Sequence, residues 1–337
     1  MNPKYIKWLL QIIGIFILAI LAIAISFRVG EYKPGFSDFM DIIQNKAGTM
    51  ELVILKQIRI PRIILGFAIG ASLSLAGTIL QGVYRNPLVE PYTLGISGGA
   101  ALGVSLAIVF HLQEIIGRII LPVSGFLGAF LSLTIVYNIS ISRGKIRIQT
   151  MLLIGVMFSY IASSAMMLLL SLISSADMQT IVFWTMGSLD EPDIKLIRLA
   201  CILAFSGLII SYLFVRQMNA MRLGHEKARH LGINTETTTR ILFITASILT
   251  GMSVSIAGVI GFVGLIIPHL IRILVGSDNR VLLVSSFLGG GAFLVLCDTI
   301  ARTIILPNEL PTGVITGIIG GILFVIIISR KNSKINS

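Results

Sequence analysis

The chain has 337 residues, of which 55% are hydrophobic and only 12% charged, with a mean hydropathy of +0.95. Water-soluble domains carry about 25% charged residues, so this composition belongs to a protein whose solvent is lipid. The net charge of +11 does not mark a nucleic-acid binder, because the basic residues are spread between long apolar runs.

A hydrocarbon core about 30 Å thick needs about 20 apolar residues per helix. About ten segments qualify, near 8–27, 60–82, 92–110, 115–140, 148–173, 194–215, 240–260, 261–276, 281–303 and 312–329. The expected fold is an all-α polytopic membrane protein, one transmembrane domain over residues 1–337. The first segment follows Lys4 and Lys7, and Ala22-Ile23-Ala24 loosely resembles a signal-peptidase site. Its apolar run exceeds the about 7–15 residues of a signal peptide, so a retained helix is expected. With the N-terminus inside and ten spans, the connecting segments hold 16 of the 26 basic residues and four acidic ones on the inside, for +12. The outside sums to −1, which satisfies the positive-inside rule and places both termini in the cytoplasm.

Arg59-Ile60-Pro61-Arg62 opens the second span on the outside, where basic residues run against that rule. Arg302, at the outer end of the ninth span, joins them, and Asp298 four residues earlier can pair with it on one helical face. These arginines read either as snorkelling to lipid headgroups or as an external cationic rim that docks an acidic partner. The second span ends in Gln81-Gly82-Val83-Tyr84-Arg85-Asn86-Pro87-Leu88, an inside turn, since proline disfavours helix at the residue before it. Glycines at four-residue spacing, Gly66/Gly70, Gly95/Gly99/Gly103 and Gly313/Gly317/Gly321, notch helix faces for close packing in lipid.

A shift of 181 residues aligns Ala71–Pro87 with Met252–Pro268, matching Ser72/Ser253, Ser74/Ser255, Gly77/Gly258 and Pro87/Pro268. The copies begin on spans two and seven, an odd number apart, and so form an inverted repeat of the kind transporters use. The longest inside loop, 218–236, holds Glu226–Leu231, a short predicted helix with Gly224 before it and Gly232 as its stop signal. It suits a groove on another protein or serves as a solvated connector. In the short eighth span, Pro268-His269 breaks the apolar run, and His269 reads as a structural hydrogen-bonding group. Cys201 and Cys297 lie in apolar stretches and suggest neither a disulfide nor a metal site.

No G-x-x-x-x-G-K-[ST] phosphate loop occurs, and no nucleophile, base and oxyanion-donor set is visible, so no catalytic or cofactor role is expected of this chain. Mid-span carboxylates are scarce, which lowers the case for an ion-coupled secondary carrier, the main alternative from another class; a membrane scaffold without transport activity is a third.

R-I-P-R at 59–62, G-x-x-L-Q at 77–81, R-N-P-L-V-E-P at 85–91, E-K-A-R-H-L-G at 226–232, G-V-I-G-F-V-G-L-I-I-P-H-L-I-R at 258–272 and E-L-P-T-G-V at 309–314 resemble the permease subunits of iron-chelate and vitamin B12 ABC importers. The resemblance runs from about residue 50 to the C-terminus. It implies a type II importer permease in the cytoplasmic membrane, paired with an identical or homologous second permease. Two ATPase subunits using ATP and magnesium would lie beneath, and an extracytoplasmic binding protein would deliver cargo. By the same resemblance, Arg59, Arg62 and Arg302 would meet acidic residues of the binding protein. Gly224, Glu226, Ala228, Arg229, Leu231 and Gly232 would form the coupling helix in the ATPase groove. Gln149 and Thr150 would lie near the inner gate. The implied cargo is an iron(III)-siderophore, with haem or cobalamin as the alternatives, and no metal site in the permease.

Overall fold

The computed structural model describes residues 3–30, 53–142, 145–146, 148–191, 193–305 and 308–333. Ten principal helices carry the fold: α1 (Pro3–Arg28), α2 (Ile60–Tyr84), α3 (Ile96–Val109), α4 (Ile120–Ser140), α5 (Ile148–Leu172), α6 (Ile194–Leu213), α7 (Thr235–Ala257), α8 (Val263–Val275), α9 (Asn279–Thr303) and α10 (Thr312–Ser333). Among the described residues, seven helices are long and apolar enough to cross a membrane, and three shorter apolar helices, α3, α8 and α10, fall where the other three spans were expected. The sequence did not foretell the helix Ser175–Thr185, capped by Ser174, or the two-residue strands Ile141–Ser142 and Lys145–Ile146 that pair ahead of α5.

Burial separates the helices into two kinds. The most apolar window of the α2 span is 89% buried and that of α7 78%, whereas that of α5 is only 11% buried. A helix that is apolar all round and lies at the centre packs on every side; one at the rim turns its apolar side outward to lipid. α2 therefore forms the axis, and α9 packs along it. Their contact is close because a Cβ at Gly70 would strike the Gly290 carbonyl, and one at Gly290 would strike Ser74 and the Gly70 carbonyl. α3 and α4 meet through Gly99 and Gly128 in the same way, so these predicted notches are filled. Gly317 on α10 faces open space.

The repeat appears in the order of elements. α2 is followed by a non-helical break, the short α3, then α4 and α5; α7 is followed by a break, the short α8, then α9 and α10. Packing obeys the same relation, since α2 lies on α9 and α7 on α4. The 181-residue register fails: Gly77 lies inside α2 while Gly258 ends α7 at φ +70°, and Pro87 sits in a turn while Pro268 lies inside α8. Small and apolar residues are so frequent in both blocks that chance identities outweigh the true offset.

The two breaks meet each other. α2 stops at Arg85 in the left-handed region (φ 52°), and the chain returns through Pro91–Leu94, a single 3-10 turn, to Gly95 (φ 84°). The N–H of Phe262 donates to Glu90 Oε1 at 2.9 Å, and the N–H of Ile260 donates to Tyr92 Oη at 3.2 Å. Glu90 thus caps the start of α8, placing a carboxyl oxygen at the positive end of the helix dipole. Pro268 has no N–H for the Gly264 carbonyl one turn earlier, which would leave a buried acceptor unpaired. Gln81 of α2 fills the gap, its Nε2 donating to Gly264 O at 3.3 Å and Leu265 O at 3.2 Å.

Candidate functional site

At the end of the bundle where α2 begins and α9 ends, proline chemistry shapes the backbone. Pro61 cannot donate a helical hydrogen bond, and the preceding turn, Leu55–Arg59, widens to π geometry, with the Ile60 N–H reaching back to Leu55 O. Arg59 and Arg62 are thereby turned into the protein, 7% and 6% exposed, and Arg302 is 9% exposed. Arg62 pairs with Asp298 at 3.0 Å and with Glu309 at 2.6 Å. Arg302 Nε donates to the other oxygen of Asp298 at 3.1 Å and its Nη2 to Ser26 Oγ of α1 at 3.0 Å. Thr312 Oγ1 donates to Asp298 Oδ1 at 3.1 Å, and Arg59 Nη1 donates to the Phe27 carbonyl at 2.9 Å.

The structure brings the three predicted arginines together with their side chains largely buried: Arg62 and Arg302 share Asp298, and Arg59 lies near Arg302. A guanidinium at a low-dielectric boundary is held by a carboxylate, and α1, α2, α9 and α10 all contribute partners to this one. Glu309, which the sequence did not join to the arginines, closes the cluster together with Asp298. Only the i,i+4 pairing of Asp298 with Arg302 was legible; the link to Arg62 spans 236 residues.

A second feature at that end of the bundle had no sequence signal. A cavity of about 780 Å³ opens between the α3–α4 connection and the start of α6, lined in part by Arg118, Trp184, Asp190, Glu191, Lys195 and Ser255. Burial first, then the neighbouring Asp193 and Asp190 carboxylates, push Glu191 above the usual range, while the Asp193 N–H and Arg118 pull against them.

At the opposite end, the predicted short helix is present as His225–His230, one residue earlier than expected. Gly224 (φ 117°) and Gly232 (φ 80°) flank it in conformations that side chains rarely adopt, which explains both glycines. Ala228 is fully buried and anchors the helix, while Leu231 and Leu223 are 64% and 61% exposed beside Glu226 and Lys227. Arg229 donates to Thr235 Oγ1 at 3.0 Å and pairs with Glu236 at 3.2 Å, tying the helix to α7. Burial pushes His225 below its ordinary value; the nearby Arg85 and Arg229 add to this, and a hydrogen bond to the Val83 carbonyl opposes it. Gln149 and Thr150 lie in the first turn of α5, next to Met151, which is fully buried and accepts from Tyr84 Oη at 3.8 Å.

The chain as a whole is similar to known proteins. Residues 17–330 match the FecCD transport family. The hemin transport system permease of Yersinia pestis is 36% identical over 279 residues, covering 82% of this chain and 83% of the relative. A siderophore transport system permease of Bacillus subtilis is 33% identical over 331 residues, covering 98% of each. The solved structure of a metal-chelate type ABC transporter in an inward-facing conformation superposes with a TM-score of 0.81 at 29% identity, covering 96% of this chain and 99% of that one. With ten apolar helices in two crossed blocks and this match over nearly its whole length, the chain belongs to the FecCD transport family, as the permease of an ABC importer.

Proposed function

We propose that this permease passes an iron(III)-siderophore across the cytoplasmic membrane, driven by two separate ATPase subunits and supplied by an extracytoplasmic binding protein. The observation that carries the reading is the helix His225–His230, held by glycine stops on a buried Ala228 while Leu223 and Leu231 stand exposed beside it. An apolar knob ringed by charge suits a groove on a partner, where ATP-driven closure can push on it. ATP shifts the importer between inward- and outward-open states only by binding one of them more tightly. The apolar, sparsely buried α5 and the open Gly317 on α10 support pairing with a second permease.

Docking of the binding protein follows from the outer cluster. Glu309 is 53% exposed while its partner Arg62 is 6% exposed, so an incoming acidic side chain would join the cluster by displacing Glu309. Glu309→Gln is then expected to tighten binding-protein association and Arg62→Gln to weaken it, with both effects reduced in high salt. Equal affinity in all three proteins would overturn this role.

The decisive experiment is uptake into proteoliposomes containing permease, ATPase and binding protein, offered ferric siderophore, haem or cobalamin in turn. Transport of the ferric siderophore that requires ATP at the ATPase face is expected. Preferential uptake of haem or cobalamin would reassign the cargo, and uptake driven by an ion gradient alone would replace the importer reading with a secondary carrier.

A further inference from the structure

The inner end of the bundle holds a concavity of about 350 Å³ that the transport reading does not use. Arg85, at the end of α2, Arg222, ahead of the coupling helix, and Arg272, on α8, all line it, together with His269, Ser277 and Asn279. Among the described residues, none of the three arginines lies within ion-pairing distance of a carboxylate; the ion pairs found involve other residues. Asp278, between the lining residues Ser277 and Asn279, caps α9 through the Arg280 N–H and accepts from Asn219 Nδ2 at 2.9 Å. Arg272 is aimed by a built contact: Gln81, fixed by its two bonds to α8, accepts from Arg272 Nη2 at 3.2 Å.

Three guanidinium groups remain charged at any physiological pH and repel one another across a shared concavity. Such an arrangement is stable when an anion neutralises it, and the forked donors of arginine match phosphate oxygens two at a time. We infer that this cavity binds a phosphate-type oxyanion, bridging the end of α2, α8 and the segment leading to the coupling helix. The volume is within the range of small-molecule sites, which begin at about 300 Å³, and leaves room for an ester group on the phosphate. The same chemistry is offered by free phosphate and by the headgroup of an anionic phospholipid.

The test uses the full-length permease, delipidated in a non-ionic detergent and titrated separately with inorganic phosphate and with short-chain phosphatidylglycerol, with binding read by calorimetry and native mass spectrometry. Saturable binding of either probe is expected; phosphate binding identifies a free anion, and phosphatidylglycerol binding alone identifies a lipid headgroup. Arg222→Gln and Arg85→Gln, both at exposed positions, should each weaken binding at least about tenfold, the weight of one charge-assisted hydrogen bond. Arg280→Gln, outside the cavity, should bind as the parent does. The inference is overturned if neither probe saturates, or if affinity is the same in the Arg222 and Arg85 variants. It is equally overturned if those variants lose ATPase assembly while no anion binds the parent, which would give the cavity to a partner's carboxylate.

Discussion

Asp298 accepts from two arginines and a threonine in a setting where it is 2% exposed. Removing it leaves two buried cations without their shared counter-charge, which in buried ion pairs costs about 3–5 kcal/mol. Asp298→Ala should therefore lower the melting temperature in detergent far more than Glu309→Ala, because the Glu309 side chain is half exposed and can be replaced by water. Gln81 gives a second expectation. Gln81→Leu keeps the volume but leaves the Gly264 carbonyl and Arg272 without a partner, a loss of about 1–3 kcal/mol measurable by thermal unfolding. At His225 the folded protein holds the imidazole neutral more strongly than the unfolded chain does. The unfolded chain then takes up a proton first, so stability is unaffected above the ordinary value of 6.5 and falls as pH drops below it. A stability profile across that range should flatten in His225→Gln.

At the scale of elements, the broken segments matter more than the long helices. The start of α8 rests against α2 with so little room that a Cβ at Gly77 would overlap the Gly264 carbonyl. Gly77→Ala should push the two apart, cost about 1–3 kcal/mol and disturb Gln81 one turn further along. If the junction transmits motion from the end of the bundle that holds His225–His230, uptake should fall in this variant by more than its loss of folded protein accounts for, as measured by transport per mole of folded permease. The sequence marked the proline in α8 as an irregularity. That a glutamine four residues beyond Gly77 repairs it depends on which face of α2 meets α8.

For the whole molecule, burial predicts where the structure opens. α2 and α7 are enclosed by protein and α5 is mostly not, so α5 should exchange its amide hydrogens fastest of the three in the isolated permease. If a second permease covers α5, its exchange should slow on assembly while that of α2 stays unchanged; equal protection before and after would place α5 against lipid.

Hydropathy by itself determined the ten spans, because lipid forces each crossing segment to be apolar and to satisfy its own backbone, whatever it packs against. Local signals, the flanking glycines and the charge pattern, also disclosed the short helix His225–His230. Tertiary structure alone decided what charge does here. The guanidinium groups of Arg59, Arg62 and Arg302 turn inward because Asp298, Glu309 and two backbone or hydroxyl acceptors on α1 come to meet them. Apart from Asp298 beside Arg302, those partners lie tens to hundreds of residues away, and the energy of a buried charge depends on what surrounds it in space, a quantity that no run of sequence contains.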